Sequence, residues 1–346
     1  MDMRYMKVTV LVTVLVCMVS AAHALDAVPN ESGFSGFVRL GVGVMSYESN
    51  TVAGNKLLDI GDETVNSLYE EPESDTSGIA IFNFDLSWTF AGTRTQLFLG
   101  SQLEDIARFD LTQQIGVKQE LKDKSIFAVS YVMNSIPTEV WEDPYITGVS
   151  RQKTDRDSKG VRITYDKILG SNFQAQYTYR DIDIDIERSG SAPALGLSQS
   201  QRDLLRRDGE RHSFELLYRI ELTDEHVLVP AVYYIKEDRD GDAMSNDEYD
   251  VQLSYSYLGD PVTVIVNAIF GSADYDADNP IYNKSRDDDI YSLGAQIYYK
   301  NPFGWRPFGL DKFSVFAQGA YFDSDSDIDF YDTKVALGLV GVLVRF

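Results

Sequence analysis

The chain of 346 residues has one cysteine and three histidines. Beyond its first two dozen residues it has no apolar run long enough to cross a membrane as a helix. The lone Cys17 lies inside the apolar stretch 8–19. Everything after that stretch therefore has neither a disulfide staple nor a thiol nucleophile. Beyond residue 24 only His212 and His226 remain for imidazole chemistry. Zinc-ligand clusters, glycine-rich phosphate loops and basic nucleic-acid patches are missing as well. These absences argue against most enzymes and against nucleic-acid partners.

What is present starts with a leader. Arg4 and Lys7 precede the apolar run 8–19, and Ala22-His23-Ala24 gives a small-x-small cleavage pattern. The run is shorter than the roughly 18 residues a membrane helix needs, so residues 1–24 are expected to be a secretory signal peptide. Val16 before Cys17 does not suit a lipoprotein signal. Residues 25–346 are then expected to form a single domain.

The mean hydropathy is slightly negative, as in a water-soluble protein. Apolar and polar residues alternate, however, and alternation cancels in any hydropathy window. Ala80, Phe82, Phe84, Leu86, Trp88 and Phe90 share one strand face, with Asn83, Asp85, Ser87 and Thr89 on the other. Val161, Ile163 and Tyr165 oppose Arg162, Thr164 and Asp166 in the same way. One face suits lipid and the other suits water.

Connections between such segments alternate in length. Tight turns are expected at 91–94, 120–124, 168–172, 221–225 and 258–261, with a longer one at 301–311. Long polar segments occupy 47–77, 135–158, 181–211, 236–248, 271–289 and 322–332, with a short connection at 104–108. Short turns at one end and long loops at the other characterise outer-membrane barrels. The predicted fold is an all-β, transmembrane, antiparallel up-and-down β-barrel with both termini periplasmic. The strands expected are 36–45, 79–90, 95–103, 109–119, 125–134, 160–167, 173–180, 213–220, 227–235, 249–257, 262–270, 290–300, 313–321 and 333–346. That is about fourteen, with twelve as the alternative, the fourth, fifth and ninth strands being the least regular, since 227–235 is apolar on both faces and contains Pro230. The last segment ends on Phe346 in the manner of the C-terminal strand that barrel-assembly machineries recognise, so that machinery is an expected partner during biogenesis.

Removing residues 1–24 takes Arg4, Lys7 and Asp2 from the totals of 31 and 54, leaving 29 basic and 53 acidic side chains. Nearly all the excess lies in the long loops. Asp181, Asp183 and Asp185, then Asp274, Asp276 and Asp278, then Asp323, Asp325, Asp327 and Asp329, continue the lipid-facing parity of their strands. If the strands run on without a bulge, these carboxylates point outward at head-group height. Ca²⁺ or Mg²⁺ bridging to lipopolysaccharide is one expectation, and plain solvated hairpins are the other. Asp238, Asp240 and Asp242 are weak metal candidates, since their spacing departs from a calcium-binding loop.

Parity assigns Arg39, Asp85, Lys118, Arg162, Asp166, Arg180, Glu215, Arg219, Asp250 and Lys300 to the lumen. Their mixed signs suit a pore that screens solutes, or salt bridges across a closed one. His212 beside Ser213 is the one pairing with a base near a hydroxyl, and it is expected to be an ordinary rim histidine.

Read in order, QLFLGSQLEDIARFDL, VWEDPYITGVSRQKTDRDSKG, LLRRDGE, DRDGDAMSNDEYD, ADNPIYNKSRDDDIYSLGA and SDIDFYDT resemble an uncharacterised family of gammaproteobacterial outer-membrane proteins that carry a domain of unknown function. The resemblance runs from Gly33 to Phe346. It implies location and architecture, with no assigned substrate, cofactor or catalytic residue. The functional expectation is a monomeric, porin-like channel for small hydrophilic solutes, its entrance narrowed by 47–77 and 181–211 and its acidic vestibule favouring cations. The alternative is a closed barrel serving as a surface scaffold or receptor that binds a partner, divalent cations or lipopolysaccharide. Inward packing of Phe98, Phe316, Leu217 and Tyr298 discriminates the two. The inward parity of Leu337, Leu339 and Leu343 already argues against a wide, water-filled pore.

Overall fold

A computed structural model describes residues 25, 27–105, 110–305 and 312–346. The leader, the predicted strand start at Phe109, part of the 104–108 connection and part of the 301–311 turn lie outside the described residues. The long strands are β1 (Gly33–Glu48), β2 (Ser74–Phe90), β3 (Thr95–Asp105), β4 (Asp110–Glu120), β5 (Ile126–Asn134), β6 (Lys153–Asp166) and β7 (Phe173–Ile184). They continue as β8 (Gly209–Tyr218), β9 (His226–Arg239), β10 (Asn246–Tyr257), β11 (Val262–Tyr275), β12 (Asp287–Lys300), β13 (Lys312–Ser326) and β14 (Thr333–Arg345). Each pairs antiparallel with the next. Strand β14 returns to β1, with Phe37 opposite Arg345 and Glu48 opposite Lys334, so the sheet closes as a fourteen-stranded barrel.

The outer surface is apolar where an ordinary protein surface would be polar. Val42, Trp88, Ile115, Val251, Leu293 and Val340 are each 48–60 % exposed on successive parts of the wall. Such a belt is stable against lipid tails and unstable in water. Aromatic side chains mark both of its edges. Towards the loops, Tyr177, Phe214, Tyr234 and Tyr249 run across four strands at centroid spacings of 4.7, 6.1 and 5.1 Å. At the turn end, His226 stacks against Tyr255, and Phe34 against Phe346. The fold is thus a transmembrane barrel by its surface as well as its topology.

The strands are those the periodicity predicts, but several run further towards the loops. Strand β7 extends to Ile184, β11 to Tyr275 and β13 to Ser326, and β6 begins at Lys153. Predicted limits fell where the outward face stops being apolar. The ladder needs only backbone groups, and it continues because inward residues such as Ile182, Ile184, Ala273 and Phe322 are still buried. Asp183, Asp274 and Asp325 are accordingly exposed on the outer face of these extensions, and Asp185, Asp276 and Asp327 are exposed just beyond their ends. Pro230 sits in β9 where its partner β8 is interrupted: the ladder stops at Leu217 opposite Ala231 and resumes at Ile220 opposite Leu228. A residue without an N–H fits that gap.

The long loops fold together into a cap. In the first, Val52–Asn55 pairs with Leu58–Asp59 and with Thr138–Trp141 of the β5–β6 connection. Above them, Leu68, Tyr145, Leu205, Ile328, Phe330 and Tyr331, drawn from four loops, form a buried cluster. The Tyr145 and Tyr331 hydroxyls lie 2.6 Å apart, and Asn279 Nδ2 donates to Tyr331 Oη at 2.6 Å. Asp143 accepts the Gly190 and Ala192 amides at 3.0 and 2.9 Å, tying two loops together. Buried Arg151 donates to the carbonyls of Asn50, Pro144 and Asp62. The loops that polarity alone marks as solvated hairpins have a core of their own.

Candidate functional site

The barrel interior has two unlike halves. From β13 through β14 and β1 to β2 the wall is apolar: Met45, Tyr47, Ile81, Phe316, Leu337 and Leu339 pack with Val52, Leu58 and Ile60 of the first loop. The ring of Phe316 lies on Gly41 and Gly341, where an added Cβ would stand 3.0 and 2.7 Å from its carbons. Glycine at both positions lets the ring seal the seam between the first and last strands. Arg39 covers the ring at 4.0 Å and donates to Gln318. Leu337, Leu339 and Leu343 point inward as their parity requires, and all are buried.

The other half is polar and bounds a cavity of about 600 Å³. Its charges are unevenly distributed by sector, with Arg239 of β9 and Arg286 before β12 lying among most of the carboxylates. Lys118 of β4, Arg156 and Arg162 of β6, Arg180 of β7 and Arg211 of β8 line one arc. Glu237 of β9, Glu248 and Asp250 of β10 and Asp288 of β12 line the next, while Asp85 of β2 and Glu215 of β8 stand beyond the basic arc or at its edge. At the seam Arg211 reaches Glu237 at 3.1 Å, and Arg239 also pairs with Glu237; further round, Arg286 pairs with Asp288. The wall holds its arginines in place. Arg162 Nε donates to Thr178 Oγ1 at 2.9 Å, and Arg180 donates to Asn134 Oδ1 at 3.0 Å and to Ser158.

Six of the ten predicted lumen residues line this cavity: Asp85, Lys118, Arg162, Arg180, Glu215 and Asp250. Arg39 is inward but belongs to the apolar half. Asp166 is inward and buried below the cavity. Arg219 and Lys300 lie at the turn end, where Arg219 pairs with Glu221 at 3.1 Å and Lys300 donates to the Gly259 carbonyl at 2.9 Å. Phe98, Phe316, Leu217 and Tyr298 do not gather into one cluster. Phe316 meets Tyr298 at 5.9 Å, Phe98 lies under Lys118, and Leu217 packs with Val227 and Val229.

Asp240 pairs with Arg206 at 2.8 Å, and among the described residues no group of three or more candidate ligands, including Asp238 and Asp242, is arranged to hold a metal. His212 Nδ1 and the Tyr177 hydroxyl are 2.8 Å apart on the outer wall, whereas Ser213 faces the cavity. Neighbours in a strand point to opposite faces, so this histidine and serine cannot act together.

Arg156, Arg211, Glu237 and Glu248 were missed because they fall in segments read as loops. Their parity with Arg162, Ser213, Tyr233 and Asp250 is the signal that marks them as inward, because the ladder runs past the last apolar residue of each strand. The floor was also missed. Leu25 lines the cavity and its backbone N–H donates to Gln174 Oε1 at 3.3 Å. Val28 is buried, and Arg94 donates to the Val28 and Pro29 carbonyls at 2.5 and 2.6 Å. Arg94 is itself held by Glu120 at 2.5 Å. Leu25 and the segment 27–32 before β1 therefore lie across the turn-end mouth.

No curated protein matches the chain. Among solved structures, it is similar to the outer membrane channel DcaP of Acinetobacter baumannii, at 11% identity and a TM-score of 0.43 over 96% of this chain and 100% of that one. It is similar to a loop-deletion mutant of OmpT, an outer membrane protein of Vibrio cholerae, at 10% identity and a TM-score of 0.41 over 91% and 99%. It is also similar to the outer membrane protein OprD of Pseudomonas aeruginosa, at 13% identity and a TM-score of 0.39 over 94% and 96%. A family model described as "protein of unknown function (DUF2860)" matches residues 33–344, and the chain belongs to that family.

Proposed function

We propose that the chain is a porin-like channel of the outer membrane, with both termini and the short turns in the periplasm, that passes small hydrophilic solutes through the polar half of its lumen. The observation that carries this reading is one cavity lined from Arg207 and Tyr331 under the cap down to Gln174 and Leu25 at the turn end. Polar side chains along such a path replace part of a solute's hydration, while the apolar half narrows the bore. The acidic loops favour cations only at the entrance, because the wall inside carries both signs. Swelling of proteoliposomes in neutral sugars of graded size tests it. Admission of the smaller sugars with a sharp size limit is expected, and no swelling with any solute contradicts it.

A closed surface scaffold is the second reading, favoured by the buried aromatic core of the cap. It requires that the cap stays shut, so the same swelling assay separates the two.

A further inference from the structure

Resting on the channel reading, we propose that the cavity is a binding site for small zwitterions, solutes of amino-acid size that carry one carboxylate and one ammonium group. Lys118, Arg156, Arg162, Arg180 and Arg211 line the arc from β4 to β8, with Glu215 at its edge and Arg207 above it, around one cavity of about 600 Å³. The arc from β9 to β12 carries Glu237, Glu248, Asp250 and Asp288, and because Arg239 and Arg286 pair with Glu237 and Asp288 its negative field comes chiefly from Glu248 and Asp250. A simple anion drawn to Arg162 and Arg180 is repelled by Asp250 and Glu248. A simple cation meets the reverse. A solute with both charges gains from both arcs when it lies across them.

Two features strengthen the field. The remaining wall is packed side chains, from Phe316 to Leu339, so part of the field runs through a medium of low polarity and is weakly screened. Wall groups are also positioned in advance: Arg162 rests on Thr178, Arg180 on Asn134, and Glu215 accepts from Gln176 Nε2 at 3.1 Å. The solute is then met by dipoles and charges that need no rearrangement. A neutral sugar can hydrogen-bond to both arcs but gains nothing from their opposed charges. The cavity volume lies in the range of small-molecule sites, which suits a single solute of this size.

Proteoliposome swelling with five solutes tests the proposal: L-glutamine, its N-formyl derivative as the anion, its α-amide as the cation, and, as neutral references close to these in mass, arabinose and glucose. Glutamine is expected to enter about ten times faster than arabinose, with both blocked derivatives slower than glutamine. Arg162→Gln with Arg180→Gln, and separately Asp250→Asn, should each reduce the glutamine-to-arabinose ratio several-fold. Heat-modified gel mobility checks that each variant is folded, and Arg156→Gln or Glu248→Gln replaces any that is not. Equal rates for all five solutes overturn the zwitterion site while leaving the channel standing. So does a faster anion whose rate ignores Asp250→Asn. No swelling with arabinose or any other solute overturns the channel reading itself, and the site falls with it.

Discussion

The guanidinium of Arg39 lies 4.0 Å over the ring of Phe316, and that ring rests on Gly41 and Gly341, which face each other across the seam between β1 and β14. Barrel closure and lumen filling are therefore one arrangement. The backbone ladder joins the two strands, a ring covers the place where they have no side chains, and a cation covers the ring.

Phe316→Ala removes that cover. The loss of a buried aromatic ring is expected to cost about 3–5 kcal/mol of unfolding free energy, less whatever the neighbouring Tyr298 recovers by collapse. Urea unfolding in detergent, followed by tryptophan fluorescence, measures it. Gly341→Val should cost about 1–3 kcal/mol for the opposite reason, since its side chain would drive into the Leu40 carbonyl oxygen and Gly41 Cα as well as the ring. A neutral result for both would show that the seam does not depend on Phe316.

The floor makes a separate prediction. Arg94 holds the Val28 and Pro29 carbonyls, so Arg94→Ala should loosen the segment that crosses the turn-end mouth. Deleting residues 25–31 should remove it. Conductance per channel is expected to rise in both, more in the deletion, with unchanged barrel mobility on heat-modified gels. Identical conductance in all three proteins would show that these residues do not obstruct the path.

The cap carries a pH-sensitive group. Asp332, in the connection between β13 and β14, is 4 % exposed. Burial pushes its carboxyl up to about 6, although it accepts the Ser326 amide and lies 4.0 Å from Lys334 Nζ. A carboxyl whose folded pKa lies above its unfolded value adds stability that is fully present below about pH 4 and is lost as pH rises through about 6. Hydrogen exchange of the amides around 326–333, corrected for intrinsic rate, should show protection falling across that window. Asp332→Asn should remove this pH dependence. A wild-type profile that stays flat from pH 4 to 7 contradicts the assignment.

The wall was legible because a barrel strand has a period of two, and each lipid-facing residue fixes its neighbour as inward. Val161 and Ile163 outside place Arg162 inside. The upper lumen was not legible for the same reason reversed: above the bilayer the outward residues are aspartates, so Asp183 and Asp274 gave no contrast with loop sequence, and the inward Glu237 and Arg211 went with them. The cap left still less trace. Leu68, Tyr145, Leu205 and Phe330 each sit in a short apolar pair within a polar segment without periodicity, and only the spatial meeting of several loops makes them a core. Phe316 on two glycines was invisible too, since nothing in the spacing of 41, 316 and 341 says that they meet.

Single-channel recording of the full-length protein in a planar bilayer tests the central claim most directly. Discrete, long-lived conductance steps are expected, smaller than an unfilled fourteen-stranded bore would give, because half of the lumen is packed with side chains. A bilayer that stays silent with correctly folded protein in it would contradict the account and leave the barrel as a closed scaffold.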